Sequence, residues 1–164
     1  MKKYVLISVA IAGVGILLVI GIALIALRSS ASLYQETEST QAVSENDFKT
    51  LVLHGVEIKA EVADTPSERN KGLSGRATLD DGNGMLFIFP KSDKQSFWMP
   101  DMRFAIDIIW LDEYMKVVHI KESATPESYP EKFTTSVPAK YVLEVPAGFS
   151  KEKGIVVGDQ AVVR

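Results

Sequence analysis

The chain has 164 residues, of which 46% are hydrophobic, with a formal net charge of −3 and no cysteine. The absence of cysteine excludes disulfides, thiolate metal sites and a cysteine nucleophile. Lys2, Lys3 and Arg28 flank one apolar run, and residues 29–164 beyond it contain 15 basic and 21 acidic side chains. Because binding to phosphates requires a cationic surface, this acidic balance predicts no nucleic-acid partner.

Residues 4–27 form an apolar run without a charged side chain. As a helix, a segment of this length rises about 36 Å, enough to span a hydrocarbon core about 30 Å thick. The alternative is a signal peptide cleaved after Ala31, but the apolar part of such peptides is usually about 7–15 residues long. We therefore expect residues 1–28 to be an uncleaved, single-pass signal anchor in the lipid bilayer. Lys2 and Lys3 predict a cytoplasmic N-terminus and an extracytoplasmic domain.

Residues 29–47 are rich in Ser, Thr, Glu and Gln and lack apolar periodicity, which is typical of a flexible linker. The domain then covers residues 48–164, where short apolar or alternating segments are separated by Gly, Pro, Asp and Asn, as in β-proteins. The predicted strands lie at 50–54, 56–63, 85–89, 96–99, 104–111, 116–121, 140–145, 155–157 and 161–163. We expect a mainly-β fold, either a β-sandwich or a partly closed barrel, with one short helix.

The segment Thr65-Pro66-Ser67-Glu68 predicts the start of that helix, because it combines a capping box with proline at the first helical position. Gly72 or Gly75 would end the helix after about two turns. Residues 122–138 contain three prolines and no periodicity. They predict a long loop, a kind of segment that is often functional.

Six strings of the domain together resemble one protein family. They are ADTPSERNKGLSGR (63–76), GMLFIF (84–89), FWMPDM (97–102), IDIIWLD (106–112), YVLEVPAG (141–148) and GD (158–159). In order and spacing they resemble the domain of unknown function 192 family of bacteria and archaea, over about residues 50–164. The resemblance implies a mainly-β sandwich fold in small proteins that are often exported or membrane-anchored. It implies no established activity.

Asp107 is the most informative polar residue, because it lies in the middle of the longest apolar strand. Strand alternation places it on one face with Ile109 and Leu111. A buried ion costs several kcal/mol unless it is paired, which predicts a structural ion pair with Arg76, or with Arg69 as the alternative partner. The functional alternative for Asp107 is a carboxylate that binds a ligand.

Glu144 repeats this pattern in the segment Tyr-Val-Leu-Glu-Val, on the face opposite Leu143. Together with Asp107, it would supply the two carboxylates of a glycoside hydrolase, which lie about 5–9.5 Å apart in such enzymes. A carboxylate-dependent hydrolase of envelope polysaccharide, using Asp107 and Glu144, is therefore the alternative function. An ordinary solvent-facing or ion-paired glutamate is the simpler interpretation.

Trp98 alternates with Phe97 and Met99, so it faces outward or into a groove if its neighbours are buried. An exposed Trp stacks on sugars or peptides, whereas a buried one belongs to the core. Arg69 and Arg76 carry guanidinium groups that suit carboxylate or phosphate. The candidate ligand-binding residues are therefore Arg69, Arg76, Trp98, Met99, Asp107 and Glu144.

We expect a non-catalytic, membrane-anchored binding domain for an envelope component, which would be a glycan, a peptide or a protein. No cofactor is implied by any motif. No metal site is expected either, because His54 and His119 lie on separate predicted strands without ligand spacing.

Overall fold

A computed structural model describes residues 48–164. The predicted membrane anchor at residues 1–28 and the predicted linker at residues 29–47 lie outside the described residues. Within the described part of the chain, no helix is long and apolar enough to cross a membrane.

The described residues form nine strands, two short α-helices and one short 3-10 helix. In chain order these are β1 (Phe48–Leu53), β2 (Val56–Ala63), α1 (Pro66–Lys71), β3 (Asn83–Asp93), β4 (Ser96–Phe97), β5 (Ile106–Leu111), β6 (Val117–Ala124), the 3-10 helix (Pro126–Ser128), β7 (Phe133–Thr134), β8 (Ala139–Pro146), α2 (Phe149–Glu152) and β9 (Ala161–Val163). Seven strands form one sheet in the order β6-β5-β8-β3-β2-β1-β9, and β4 pairs with β7 in a separate ribbon. Within the main sheet only β2 and β3 run parallel.

The main sheet curls so that its two ends meet at one corner. An isolated antiparallel bridge joins Lys116, just before β6, to Gln160, just before β9. The Val117 amide donates to the Asp159 carbonyl at 2.8 Å, and the Ala161 amide donates to the Met115 carbonyl at 2.9 Å. The predicted mainly-β class is therefore confirmed, and its form is a curled half-barrel.

Apolar side chains cover both faces of this sheet. The face that we call the Asp107 face carries Leu51, Leu53, Ile58, Ala60, Leu86, Ile109, Leu111, Leu143 and Val145. The opposite face, which we call the Glu144 face, carries Ala63, Met85, Phe87, Ile106, Ile108, Trp110 and Val142. Phe149 of α2 covers the first face, whereas Leu73, Phe97, Met99 and Phe133 cover the second.

The predicted helix forms as α1, and its capping box is complete. The Glu68 amide donates to Thr65 Oγ1 at 3.2 Å, and the Thr65 amide donates to Glu68 Oε2 at 3.0 Å. Pro66 occupies the first turn, and Gly72 ends the helix with a positive φ of 49°. The cap fixes both the start and the length of this short element.

The structure corrects three local predictions. β3 continues past Pro90 to Asp93, because the pairing with β8 shifts between Ile88 and Asp93 and leaves the proline outside the regular ladder. Residues 155–157 are not a strand, since the Ile155 amide instead donates to the Ser150 carbonyl at 2.8 Å. A second short helix, α2, forms where the sequence predicted only one helix in the domain, and its residues Phe149 and Ser150 are buried.

Candidate functional site

A pocket of about 240 Å³ opens beside α1 on the Glu144 face. Helix α1 and the segment after it contribute Pro66, Arg69, Asn70, Lys71, Gly72, Leu73 and Ser74. The strands and the loop after β4 contribute Phe87, Phe89, Ser96, Phe97, Trp98, Pro100, Met102 and Glu144. We call this cavity the aromatic pocket.

Glu144 is the buried acidic group of the aromatic pocket. Its side chain is 5% exposed, and no group in residues 48–164 donates a hydrogen bond to its carboxylate. Burial raises the pKa of Glu144 to about 8, and the nearby positive charge of Arg76 opposes this rise without cancelling it. Glu144 is therefore mostly a neutral acid at pH 7, and its two oxygens remain available to a bound molecule.

Phe97 organises the aromatic wall of the pocket. Its ring packs edge-on against Phe87 at 4.9 Å, Trp110 at 6.0 Å and Phe89 at 6.3 Å between ring centroids. Trp98, the next residue, is 44% exposed, and Lys132 lies 5.0 Å from its ring centroid. The predicted alternation is confirmed, because Phe97 points inward and Trp98 points outward beside the pocket.

Hydrogen bonds hold the loops around the pocket in place. Ser74 Oγ donates to the Pro100 carbonyl at 2.8 Å, and the Gly75 amide donates to the Asp101 carbonyl at 2.9 Å. Gly75 has a φ of +77°, a conformation that favours glycine. These bonds join the segment after α1 to the loop after β4, so they hold two sides of the pocket together.

Arg69 fastens α1 to the sheet and also lines the pocket. Its Nη1 donates to the carbonyl of Asp64 and, at 2.8 Å, to the carbonyl of Ile88. The guanidinium also lies 5.3 Å from the ring centroid of Phe89. Arg69 therefore brings a positive charge to the pocket from a fixed position.

Asp107 lies on the other face of the sheet from this pocket. It is fully buried, and three backbone amides donate to its carboxylate. Oδ1 accepts from Ser123 at 2.9 Å and from Gly148 at 3.0 Å, while Oδ2 accepts from Ser150 at 2.9 Å. Asp107 thus ties β5 to the end of β6 and to α2, which is a structural role.

The predicted ion pair between Asp107 and Arg76 is wrong. Arg76 Nη2 instead contacts both carboxylate oxygens of Glu61, at 2.8 and 2.7 Å. Backbone amides satisfy Asp107, so the buried carboxylate needs no cation.

The predicted catalytic pair of Asp107 and Glu144 is also wrong. In the β5–β8 pairing, Asp107 is opposite Val145 and Ile108 is opposite Glu144. Side chains of paired residues share a face, and consecutive residues alternate, so the two carboxylates point to opposite faces of one sheet. No single substrate bond can lie between them.

The aromatic pocket thus brings together three of the six candidate residues, namely Arg69, Trp98 and Glu144. Met99 is buried in the core, and neither it, Arg76 nor Asp107 lines the pocket. The sequence reasoning missed several pocket residues, which are Lys71, Phe87, Phe89, Ser96 and Met102. Alternation along β3 was a usable signal for Phe87 and Phe89, since it places both on one face.

The model of the domain of unknown function 192 family, described as "Uncharacterized ACR", matches residues 49–163. The chain belongs to this family. A relative called UPF0127 protein, from Thermococcus gammatolerans, is 31% identical over 116 residues, which cover 70% of each chain. The family resemblance expected from the six sequence strings is therefore confirmed.

Two solved structures are similar to this member of the domain of unknown function 192 family. A Sinorhizobium meliloti protein, named as a proposed transcription regulator, superposes with a TM-score of 0.67 at 27% identity, covering 71% of this chain and 93% of that chain. A Novosphingobium aromaticivorans protein of unknown function gives a TM-score of 0.66 at 30% identity, covering 70% of this chain and 84% of that chain. The function of the family is uncharacterised.

Proposed function

We propose that this protein is a non-catalytic binding domain that holds part of an envelope component in the aromatic pocket. The observation that carries the proposal is the outward-facing Trp98 beside a pocket with a buried, unpartnered carboxylate, Glu144. Exposed aromatic rings supply apolar contact area, and a few polar groups inside a pocket orient what binds there.

The size of the pocket indicates what kind of group it accepts. Its 240 Å³ lies below the range of about 300–1,000 Å³ that is typical of pockets for drug-sized ligands. A single side chain or one sugar ring matches this space better than a nucleotide cofactor does. The pocket would therefore hold one unit of a longer glycan, peptide or protein, with Trp98 contacting the next unit outside.

The proposed location follows from the N-terminal sequence. Residues 4–27 would anchor the chain in the bilayer as a single-pass helix, and residues 29–47 would act as a polar tether. With Lys2 and Lys3 in the cytoplasm, the domain lies on the extracytoplasmic side, where it meets envelope components. Protease added to intact cells is expected to remove the domain, and full protection of the domain would contradict this orientation.

The charge of the domain does not favour the DNA-binding role that a transcription regulator would need. Residues 48–164 contain 15 basic and 17 acidic side chains, so the domain lacks the positive excess that nucleic-acid binding requires. We therefore propose no nucleic-acid partner.

Tryptophan fluorescence tests the proposal, because Trp98 and Trp110 are the two tryptophans of the chain and Trp110 is fully buried. The full chain in detergent is titrated with cell-wall glycan fragments and with peptides. We expect at least one fragment to change the emission saturably, and Trp98→Phe to abolish that change.

Tyr114→Ala is the matched control, since Tyr114 is an exposed aromatic residue outside the pocket. It should bind as the wild type does. No response from any fragment, or the same response in Trp98→Phe, would count against the pocket as a binding site.

A further inference from the structure

We propose that the aromatic pocket selects a peptide ligand by an ammonium group, which meets Glu144, and by a carboxylate, which meets Arg69 and Lys71. This inference rests on the proposed function and narrows its ligand to one chemical class. A lysine-like side chain near a free peptide carboxyl terminus carries both groups.

The carboxyl group of Glu144 has unmet hydrogen-bonding capacity. A buried carboxyl group normally has partners, and the three amide donors of Asp107 show how this same fold satisfies one. Glu144 has no donor within residues 48–164 and faces the pocket. An ammonium group carries three N–H donors and a charge opposite to that of the ionised carboxylate, so it complements Glu144 well.

The aromatic wall around Glu144 also favours a cationic group. Phe87, Phe89, Phe97 and Trp98 line the pocket, and aromatic faces attract cations. Two of these rings already hold cations of the protein itself, with Arg69 over Phe89 and Lys132 over Trp98. The methylene stem of a lysine-like chain would also pack against these rings.

Helix α1 contributes positive charge to the pocket, which favours a ligand that also carries a carboxylate. Arg69 and Lys71 line the same pocket as Glu144, and a ligand with only positive charge would be repelled by them. A ligand that also carries a carboxylate would be attracted to these two positive side chains. This favours a peptide over a deacetylated amino sugar, which offers an ammonium group but no carboxylate.

Binding of an ammonium group must be coupled to the proton on Glu144. The charged groups near Glu144 are Arg76, with its partner Glu61 on β2, and Arg69 and Lys71 on α1. Its register partners Met85 on β3 and Ile108 on β5 are apolar. At pH 7 Glu144 is mostly protonated, and an incoming ammonium favours its ionised form, so binding should release close to one proton.

Calorimetry of the full chain in detergent tests this with N-acetyl-lysyl-alanyl-alanine as the probe. The controls are the norleucine peptide, which lacks the amine, the C-terminal amide, which lacks the carboxylate, and a glucosamine oligomer. We expect the lysyl peptide to bind about tenfold tighter than any of the three. Titrations at pH 7 in two buffers of different ionisation enthalpy should show the released proton.

Two variants test which side chain binds the ammonium group and which binds the carboxylate of the peptide. Glu144→Gln should abolish both the proton release and the preference over the norleucine peptide. Lys71→Ala should reduce the preference over the amide while keeping the proton release. Near-UV circular dichroism checks that both variants are folded.

The outcomes separate the two proposals. If the norleucine peptide or a neutral glycan binds at Trp98 as tightly as the lysyl peptide, the ammonium inference is overturned and the binding pocket stands. Tighter binding of the glucosamine oligomer would overturn the choice of a peptide. If no compound changes the Trp98 emission, both proposals fail.

Discussion

Asp107 and Glu144 are buried carboxylates on neighbouring strands, one register position apart, yet their surroundings differ completely. Asp107 accepts three backbone hydrogen bonds at 2.9–3.0 Å on one face of the sheet. Glu144 accepts none from residues 48–164 and faces a pocket on the other face. The protein itself satisfies the first carboxylate, whereas the second is left open to the pocket.

This comparison shows how to distinguish a structural carboxylate from a candidate binding one. A buried acid that is satisfied by backbone amides stabilises the fold around it. A buried acid without donors destabilises the fold, and such groups are characteristic of functional sites. Both residues are buried within strands, so the hydrogen-bond donors distinguish them.

The largest expected effect is the loss of the structural carboxylate. Asp107→Ala leaves three backbone amides, including that of the buried Ser150, without an acceptor, and we expect the unfolding free energy to fall by about 4 kcal/mol. Urea denaturation measures it. Asp112→Ala, which removes an acceptor from an exposed turn, is the control and should cost less. A loss below about 1 kcal/mol for Asp107→Ala would remove the distinction between the two carboxylates.

The effect of Glu144→Gln on the unfolding free energy should have the opposite sign to that of Asp107→Ala, and it should depend on pH. The folded pKa of about 8 lies above the ordinary value of 4.5, so the wild type loses stability as pH rises between these values. Relative to the wild type, Glu144→Gln should gain about 3 kcal/mol between pH 5 and pH 8. Urea denaturation at the two pH values measures the gain. If the variant and the wild type differ in stability by the same amount at both pH values, Glu144 ionises normally.

Ser150 provides a smaller test on the Asp107 face. Its amide donates to Asp107, but its buried Oγ has no hydrogen-bond partner within the described residues. Ser150→Ala keeps the amide and removes the unpartnered hydroxyl, so we expect no loss and a gain of up to about 1 kcal/mol. A clear loss of stability in urea denaturation would show that Ser150 Oγ has a hydrogen-bond partner in solution.

The smallest expected effect on stability is at the pocket wall. Trp98→Ala removes a half-exposed ring, and we expect a cost below about 1 kcal/mol, measured by thermal unfolding. Trp110→Ala is the contrast, because Trp110 is fully buried and its Nε1 donates to the Gln95 carbonyl at 3.0 Å. It should cost about 3–5 kcal/mol. Equal losses would place Trp98 in the core.

Alternation along single strands predicted the faces correctly. It separated Asp107 from Ile106 and Ile108, and Trp98 from Phe97 and Met99. Alternation could not show whether Asp107 and Glu144 share a face, because this depends on the pairing register of β5 and β8, in which Asp107 is opposite Val145. A shift of one residue between β5 and β8 would have placed both carboxylates on the same face.

The partners of Asp107 were unpredictable for a related reason. Two of its three donors belong to Gly148 and Ser150, at the start of the four-residue helix α2. So short a helix has no amphipathic period, and its start depends on Gly148 at a φ of 84°. Because a buried acid is expected to pair with a cation, the sequence pointed to Arg76 as the partner of Asp107. The hydrogen-bond donors to Asp107 are instead backbone amides.

Thermal unfolding at pH 8, with and without N-acetyl-lysyl-alanyl-alanine, tests directly whether Glu144 binds the ligand. It compares the wild type with Glu144→Gln. The peptide should raise the melting temperature of the wild type, because it binds only the folded state. Glu144→Gln should melt at a higher temperature than the free wild type, and the peptide should raise its melting temperature less than that of the wild type. A variant that melts lower, or that the peptide stabilises equally, would contradict the assignment of Glu144 to ligand binding.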